Sequence, residues 1–345
     1  MFEPTIKDIA KICGVGVSTV SRAINNHPDI NPDTKAKILD AIKEYGYVPN
    51  DSARNLKRSD ARAIAVLVKG IANPFFTNMI AIIEQECKKK GYAMELSHIE
   101  FDEDEVDVAQ KVVKEKRLRG IIFLGGYFLR SEEKLKKLNV PFVFSTAGGI
   151  PENISKDSYS NIGVDDRMES ERMVDYLIDL GHKRIAIIAA ETYEECIGRL
   201  RLEGYYDALK KHGIASDAKL IFETDEEINH FSMENGYITT RRLIESGEKF
   251  SAVYAVSDTL AIGACRALQE AGFRIPEDVS VAGYDGIDIG SYITPRLTTM
   301  RQPVEEMAKA TVKLLFAIIS GKKGHQHMVY EAKLMEREST GGIAN

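Results

Sequence analysis

From residue 61 onward the chain alternates short apolar runs with amphipathic segments, and this alternation restricts its fold more than any other feature. The apolar runs are AIAVLV (63–68), YAMELS (92–97), GIIFLG (120–125), PFVFS (141–145), RIAIIAA (184–190), AVYAV (252–256) and VSVAGY (279–284). Segments with helical spacing lie between them, at 76–90, 105–117, 166–180, 200–212, 235–246 and 259–271. Unbroken Val/Ile/Leu strands joined by helices predict parallel sheets covered on both faces. There are too many units for one compact sheet. An α/β core of two doubly wound parallel-sheet lobes is therefore expected, with a ligand beyond the carboxyl ends of the strands.

The first sixty residues read differently. Thr5 is placed to cap a helix, with Asp8 as its capping-box partner, and Ile6, Ile9, Ala10 and Cys13 follow at helical spacing up to Gly14. A second short helix is expected at about 17–25. A third starts at Asn31–Pro32 and stops at Gly46. Three such helices bury little surface, so this all-α unit is marginal by itself. Residues 47–62 (YVPNDSARNLKRSDAR) form a polar connector in which Asn50 can cap one more short helix, stable only against a partner.

Charge follows the same division. The whole chain carries a net −6, but residues 1–62 sum to +2 and the remainder to −8. That excludes a uniformly basic nucleic-acid coat and leaves room for a small DNA-reading module on an acidic body. Four cysteines (Cys13, Cys87, Cys196, Cys265) are far apart and form no CxxC pair, which points to reduced thiols in the cytoplasm. The N-terminus lacks a signal-peptide pattern, and no window of 18 apolar residues spans a membrane. The dinucleotide fingerprint, the phosphate loop, GxSxG and clustered metal ligands are all missing, so neither an enzyme nor a cofactor is expected.

Helix, glycine turn and second helix match the logic of a helix-turn-helix, whose second helix enters the major groove. In VSTVSRAIN, Val17, Ser18 and Arg22 face outward while Val20 and Ile24 pack inward. Arg22 can bond guanine bidentately and Val17 can touch a thymine methyl. Thr5, Thr19, Ser21, Asn25 and Thr34 are short polar groups suited to phosphate oxygens.

The stretches TIKDIAKICGVGVSTVSRAIN, YGYVPNDSARNLK, RLEGYYDAL, SDTLAIGACRALQEAGFRIPEDVSVAGYD and LTTMRQP, in this order, resemble the lactose-repressor-type and purine-repressor-type bacterial transcription regulators. One departure is Gly16, where that family usually has a serine-like cap; glycine still caps tolerably. The resemblance implies a helix-turn-helix domain at 1–49 and a hinge helix at 50–61. It places a first lobe at 62–161 plus 293–321, and a second at 162–292 plus 322–340. It also implies that Leu56 from each subunit wedges into the minor groove, flanked by Asn50, Ala53, Arg54 and Lys57. Read without the family, Leu56 simply packs on its own domain.

The same resemblance implies a cleft between the lobes that takes a small effector, a carbohydrate being the family's commonest class. Its candidate residues are Asn73, Phe75, Phe76, Thr146, Arg201, Phe231, Ser257 and Asp285. Rings stack on a sugar face, and Arg and Asp bond its hydroxyls. Each has a plainer reading. Phe75 and Phe76 fit a core, Arg201 fits a surface pair with Glu203 or Asp207, Asp258 beside Ser257 fits a helix cap, and Asp285 fits a turn cap. Purine-binding members share much of this set, but Thr146-Ala147 and Glu195 depart from their pattern. The ending RESTGGIAN has no heptad helix, so a homodimer on a near-palindromic double-stranded operator is expected.

Overall fold

The computed structural model describes residues 4–24, 26–47, 62–100, 103–126, 132–147, 154–190 and 196–343. Its contacts divide the chain into two compact units, 1–61 and 62–345.

Among the described residues the smaller unit holds three helices, α1 (Ile6–Cys13), α2 (Val17–Ile24) and α3 (Pro32–Glu44). Thr5 and Asp8 form the expected reciprocal cap on α1: the Asp8 carboxylate accepts from the Thr5 amide at 2.8 Å. Asn31 starts α3 by accepting from the Asp33 and Thr34 amides. Ile9, Val20 and Ile38 are fully buried where the helices meet, ringed by Ala10, Cys13, Ala23 and Ala41.

The larger unit begins with β1 (Ala63–Lys69), α4 (Phe75–Lys89), β2 (Ala93–Ile99), α5 (Glu105–Glu115) and β3 (Gly120–Leu124). It continues with α6 (Glu132–Lys136), β4 (Phe142–Ser145), β5 (Asn161–Val164), α7 (Asp166–Asp179), β6 (Ile185–Ala189) and α8 (Ile197–Lys211). Then follow β7 (Ile221–Glu223), α9 (Met233–Glu245), β8 (Ala252–Ala255), α10 (Asp258–Glu270) and β9 (Ser280–Asp285). The last elements are β10 (Thr298–Arg301), α11 (Val304–Ile319), β11 (His327–Tyr330) and β12 (Lys333–Met335).

These strands build two six-stranded sheets, ordered β11-β5-β4-β3-β1-β2 and β12-β10-β9-β8-β6-β7. Every pairing in the first sheet is parallel, and in the second only β12 runs antiparallel. The central strands β3 and β8 are buried at every residue, as expected for sheets covered on both faces by helices. The four cysteines are buried and form no disulfide. Among the described residues no helix is long and apolar enough to cross a membrane.

The lobe limits differ from those expected. β10 pairs with β9 and β12, so Thr298–Arg301 belongs to the second sheet rather than to a first lobe resuming at 293. β11 pairs with β5, so His327–Tyr330 belongs to the first sheet rather than to the stretch 322–340 of the second. The chain therefore passes between sheets near 165, 302 and 331. Strands of three or four residues carry no period of their own, and only their pairing assigns them. α8 also starts at Ile197, before the expected residue 200, where Cys196 Sγ accepts the Arg199 amide at 3.3 Å.

Candidate functional site

The helix-turn-helix presents its second helix as the spacing predicts. Val17 is 41% exposed, Ser18 and Arg22 are exposed, Val20 is fully buried, and Ile24 packs partly buried on the three-helix core. Arg22 is held by Asp29, Nη1 to Oδ2 at 3.2 Å, and His27 Nδ1 lies 2.7 Å from the other oxygen of the same carboxylate. Both groups are solvated, so the pair is weak. Thr5 is exposed but its hydroxyl donates to Asp8 at 2.6 Å, so it serves α1 first. Thr19, Ser21 and Thr34 are half-buried. Asn25 and the connector residues Asn50, Ala53, Arg54, Leu56 and Lys57 lie outside the described residues.

In the larger unit, seven of the eight expected effector residues line one cavity between the sheets: Asn73, Phe75, Phe76, Thr146, Arg201, Phe231 and Asp285. They come from strand ends and the turns after them, where two parallel sheets leave free space. Phe75 and Phe76 meet edge to face, with ring centroids 5.3 Å apart. Both are nearly fully buried in the first lobe's core and line the cavity as well. Phe231 reaches the cavity from the second lobe.

Arg201 anchors the polar wall. Its Nε donates to Asp166 Oδ1 at 2.9 Å and its Nη2 lies 3.2 Å from Asp285 Oδ1. The guanidinium also bonds the Val256 carbonyl and stacks on the Tyr284 ring at 3.7 Å. The surface pairing with Glu203 or Asp207 does not form: Arg201 is buried, and those carboxylates pair with Arg167 and, for Glu203, also Arg199. Gln302 Nε2 donates to the same Asp285 oxygen at 2.9 Å. Burial pushes the Asp166 and Asp285 carboxyls upward in pKa, and the shared Arg201 pulls them back down. Burial acts to lower the Arg201 pKa, but the two carboxylates outweigh it and hold the guanidinium above its ordinary value.

Ser257 departs from the expectation. It does not line the cavity; its hydroxyl caps α10 through the Leu260 amide and meets Thr259 Oγ1 at 2.9 Å. A serine at the first turn of a helix finds its partner in the backbone. Its link to the site is indirect, since Thr259 donates to the Phe231 carbonyl at 2.6 Å. Asp258, read as the cap, instead accepts the Ile287 amide at 2.8 Å.

Six further polar or glycine positions of the lining, Gly70 among them, were not read from the sequence. Lys69 ends β1 and its ammonium sits 3.3 Å from Glu105, both side chains almost fully buried. Gly125 and Gly126 turn the chain after β3 with positive φ; a Cβ on Gly125 would lie 2.7 Å from both Phe76 and the Lys69 carbonyl. Asp166 and Gln302 stand at two of the three passages between sheets. The signals were present: a lysine closing an apolar strand, paired glycines after a strand, and the glutamine of the LTTMRQP stretch. Thr146 and Asp285 adopt φ of 56° and 112°, a cost of about 1–3 kcal/mol each that is commonly met at binding sites. All these groups bond or stack; among the described residues the lining contains no Ser, Cys or His.

Two family models match the chain, one for bacterial regulatory proteins of the lacI family over residues 5–50 and one for a periplasmic binding protein-like domain over 174–340. The HTH-type transcriptional regulator MalR of Clostridium butyricum is 38% identical over 336 residues, covering 97% of this chain and 98% of MalR. The chain belongs to the LacI family. This LacI-family protein is accordingly a DNA-binding transcriptional regulator. Its fold matches a complex of the transcriptional regulator CelR with cellobiose, at 29% identity and a TM-score of 0.70, covering 98% of this chain and all of CelR. It also matches the lac repressor dimer bound to operator and the anti-inducer ONPF, at 25% identity and a TM-score of 0.76, covering 99% of this chain and all of the repressor chain.

Proposed function

We propose that this LacI-family chain is a repressor whose operator affinity is set by a carbohydrate held between its two lobes. The observation that carries this reading is the cavity itself. Phenylalanine rings from both lobes flank a wall in which Arg201, Asp285, Asn73 and Gln302 offer donors and acceptors side by side. Rings take the apolar face of a sugar and the polar wall takes its hydroxyls. The cellobiose bound to CelR supports a carbohydrate here. Val17, Ser18 and Arg22 read bases, while Thr5, Thr19, Ser21, Asn25 and Thr34 meet phosphates. Two copies form a homodimer on a near-palindromic operator, with Leu56 of each copy in the minor groove beside Asn50, Ala53, Arg54 and Lys57. The protein acts in the cytoplasm, where the DNA lies, and by binding rather than turnover.

Effector and operator are coupled because the sugar binds one arrangement of the lobes better than the other. A thermal-shift panel of sugars, sugar phosphates and purines on the full chain tests this. A sugar is expected to raise the melting temperature by mass action, and Phe231→Ala to abolish that rise. A purine that stabilises the protein where no sugar does would overturn the carbohydrate reading.

A further inference from the structure

Basic side chains collect at one end of the first sheet, whereas at the other Lys69, Lys134 and Arg201 each pair with an acid. All its strands are parallel, so every strand starts at one end and finishes at the cavity. Around the cavity end the chain carries Glu100, Glu103, Asp104, Glu105 and Asp166. At the opposite end it carries Arg62, Lys90, Arg117, Arg119, Lys322 and Lys323, all exposed.

Backbone bonds place several of these side by side. The Ala93 amide donates to the Arg62 carbonyl and the Arg119 amide to the Ala63 carbonyl, both at 2.8 Å. Arg62 Nη1 lies 4.0 Å from where a Cβ on Gly91 would be, and Lys90 sits over the Phe316 ring at 5.2 Å. Phe316 belongs to the last turn of α11, which leads directly into Lys322 and Lys323. Lys89 and Lys116 on this face are paired with Glu86 and Glu95, but the six named cations pair with no carboxylate among the described residues.

A face whose described cations lack carboxylate partners attracts polyanions even on an acidic protein. The chain enters the larger unit at this face, because Arg62 immediately precedes β1. The reader, residues 1–61, is itself only +1, a small charge for a module that must find a duplex. We infer that the amino-end face of the first sheet is a second DNA-contacting surface, which attracts duplex phosphates without reading sequence. The basic side chains act within about a Debye length, 8–10 Å at moderate salt, so they need only approach the backbone. The inference rests on the protein's binding DNA and adds where part of the attraction comes from.

The test is the salt dependence of full-chain binding to a random-sequence duplex of about 40 bp, followed by fluorescence polarisation between about 50 and 200 mM salt. Two separate variants, Arg117→Gln with Arg119→Gln and Lys322→Gln with Lys323→Gln, remove two exposed charges each. A third, Arg241→Gln with Arg266→Gln, removes two from helices of the second lobe. Each released phosphate contact contributes about 0.9 to the log–log slope, so each face variant is expected to flatten it by up to about 1.8. Over a fourfold salt range the wild type then loses up to about 12-fold more affinity than the variant. The second-lobe variant is expected to keep the wild-type slope. Wild-type slopes in both face variants, the result for a face that serves an acidic protein instead, overturn the inference. An equal flattening by the second-lobe variant overturns it too, since net charge alone would then be acting. A wild type that binds no duplex at all would remove the DNA-binding reading itself.

Discussion

Burial pushes the Asp258 carboxyl up to about 8. It is fully buried, and burial raises it first, with the neighbouring Asp285 adding to the effect. A Cβ on Gly283 would lie 2.3 Å from its Oδ1, so packing leaves that oxygen little room for water. In the unfolded chain this carboxyl ionises in the ordinary aspartate range, whereas in the folded chain it stays protonated to about pH 8. The folded state therefore binds more protons between those values, and stability falls as pH rises through that window and is level above it. Urea midpoints at pH 6 and pH 8 should show this drop in the wild type and a smaller one in Asp258→Asn, which keeps an acceptor for the Ile287 amide. An identical drop in both proteins would assign the effect elsewhere. Asp258 illustrates what sequence conceals at this scale. Its place before an apolar helix reads as a cap, and only the packing of β9 against α10 makes it a buried acid.

At the scale of elements, helix pairs cover the second sheet at unusually close range. Gly236 on α9 and Gly263 on α10 face each other: a Cβ on Gly263 would lie 2.1 Å from the Met233 carbonyl, and one on Gly236 would lie 2.3 Å from the Leu260 carbonyl. These contacts are to backbone, which cannot rotate away. Gly263→Ala is expected to destabilise the larger unit by roughly 1–3 kcal/mol through overpacking, measurable as a lower denaturant midpoint. An alanine tolerated there without loss would show that the helices separate freely. The long elements were legible because their periods are long enough to count. β5, β7, β10, β11 and β12 were not, because three or four residues contain no repeat and their sheet is chosen by distant partners.

For the whole molecule, the two units have very different cores. The reader closes over Ile9, Val20 and Ile38 and a few small residues, whereas the second lobe alone buries Tyr205, Tyr254 and Tyr284 among its strands and helices. So small a core is marginal, and the units are joined by a polar connector. Calorimetry is expected to show two transitions, the lower one belonging to residues 1–61. Val20→Ala should remove the lower transition and leave the upper one in place. A single transition lost as a whole would mean that the units fold together.

The sequence by itself determined the division into a helical reader and an α/β core, the outward face of the reading helix, and most of the cavity's aromatic and charged residues. The first two are local properties of period and caps, whereas the cavity residues were implied by the resemblance to a known family. Only the tertiary structure decided which sheet takes each short strand, that Ser257 serves α10 rather than the cavity, and that Arg201 joins Asp166, Asp285 and Gln302 in one buried wall. Those outcomes depend on which distant segments pack together and on what burial then does to a charge. Neither can be read from the spacing of neighbours along a chain.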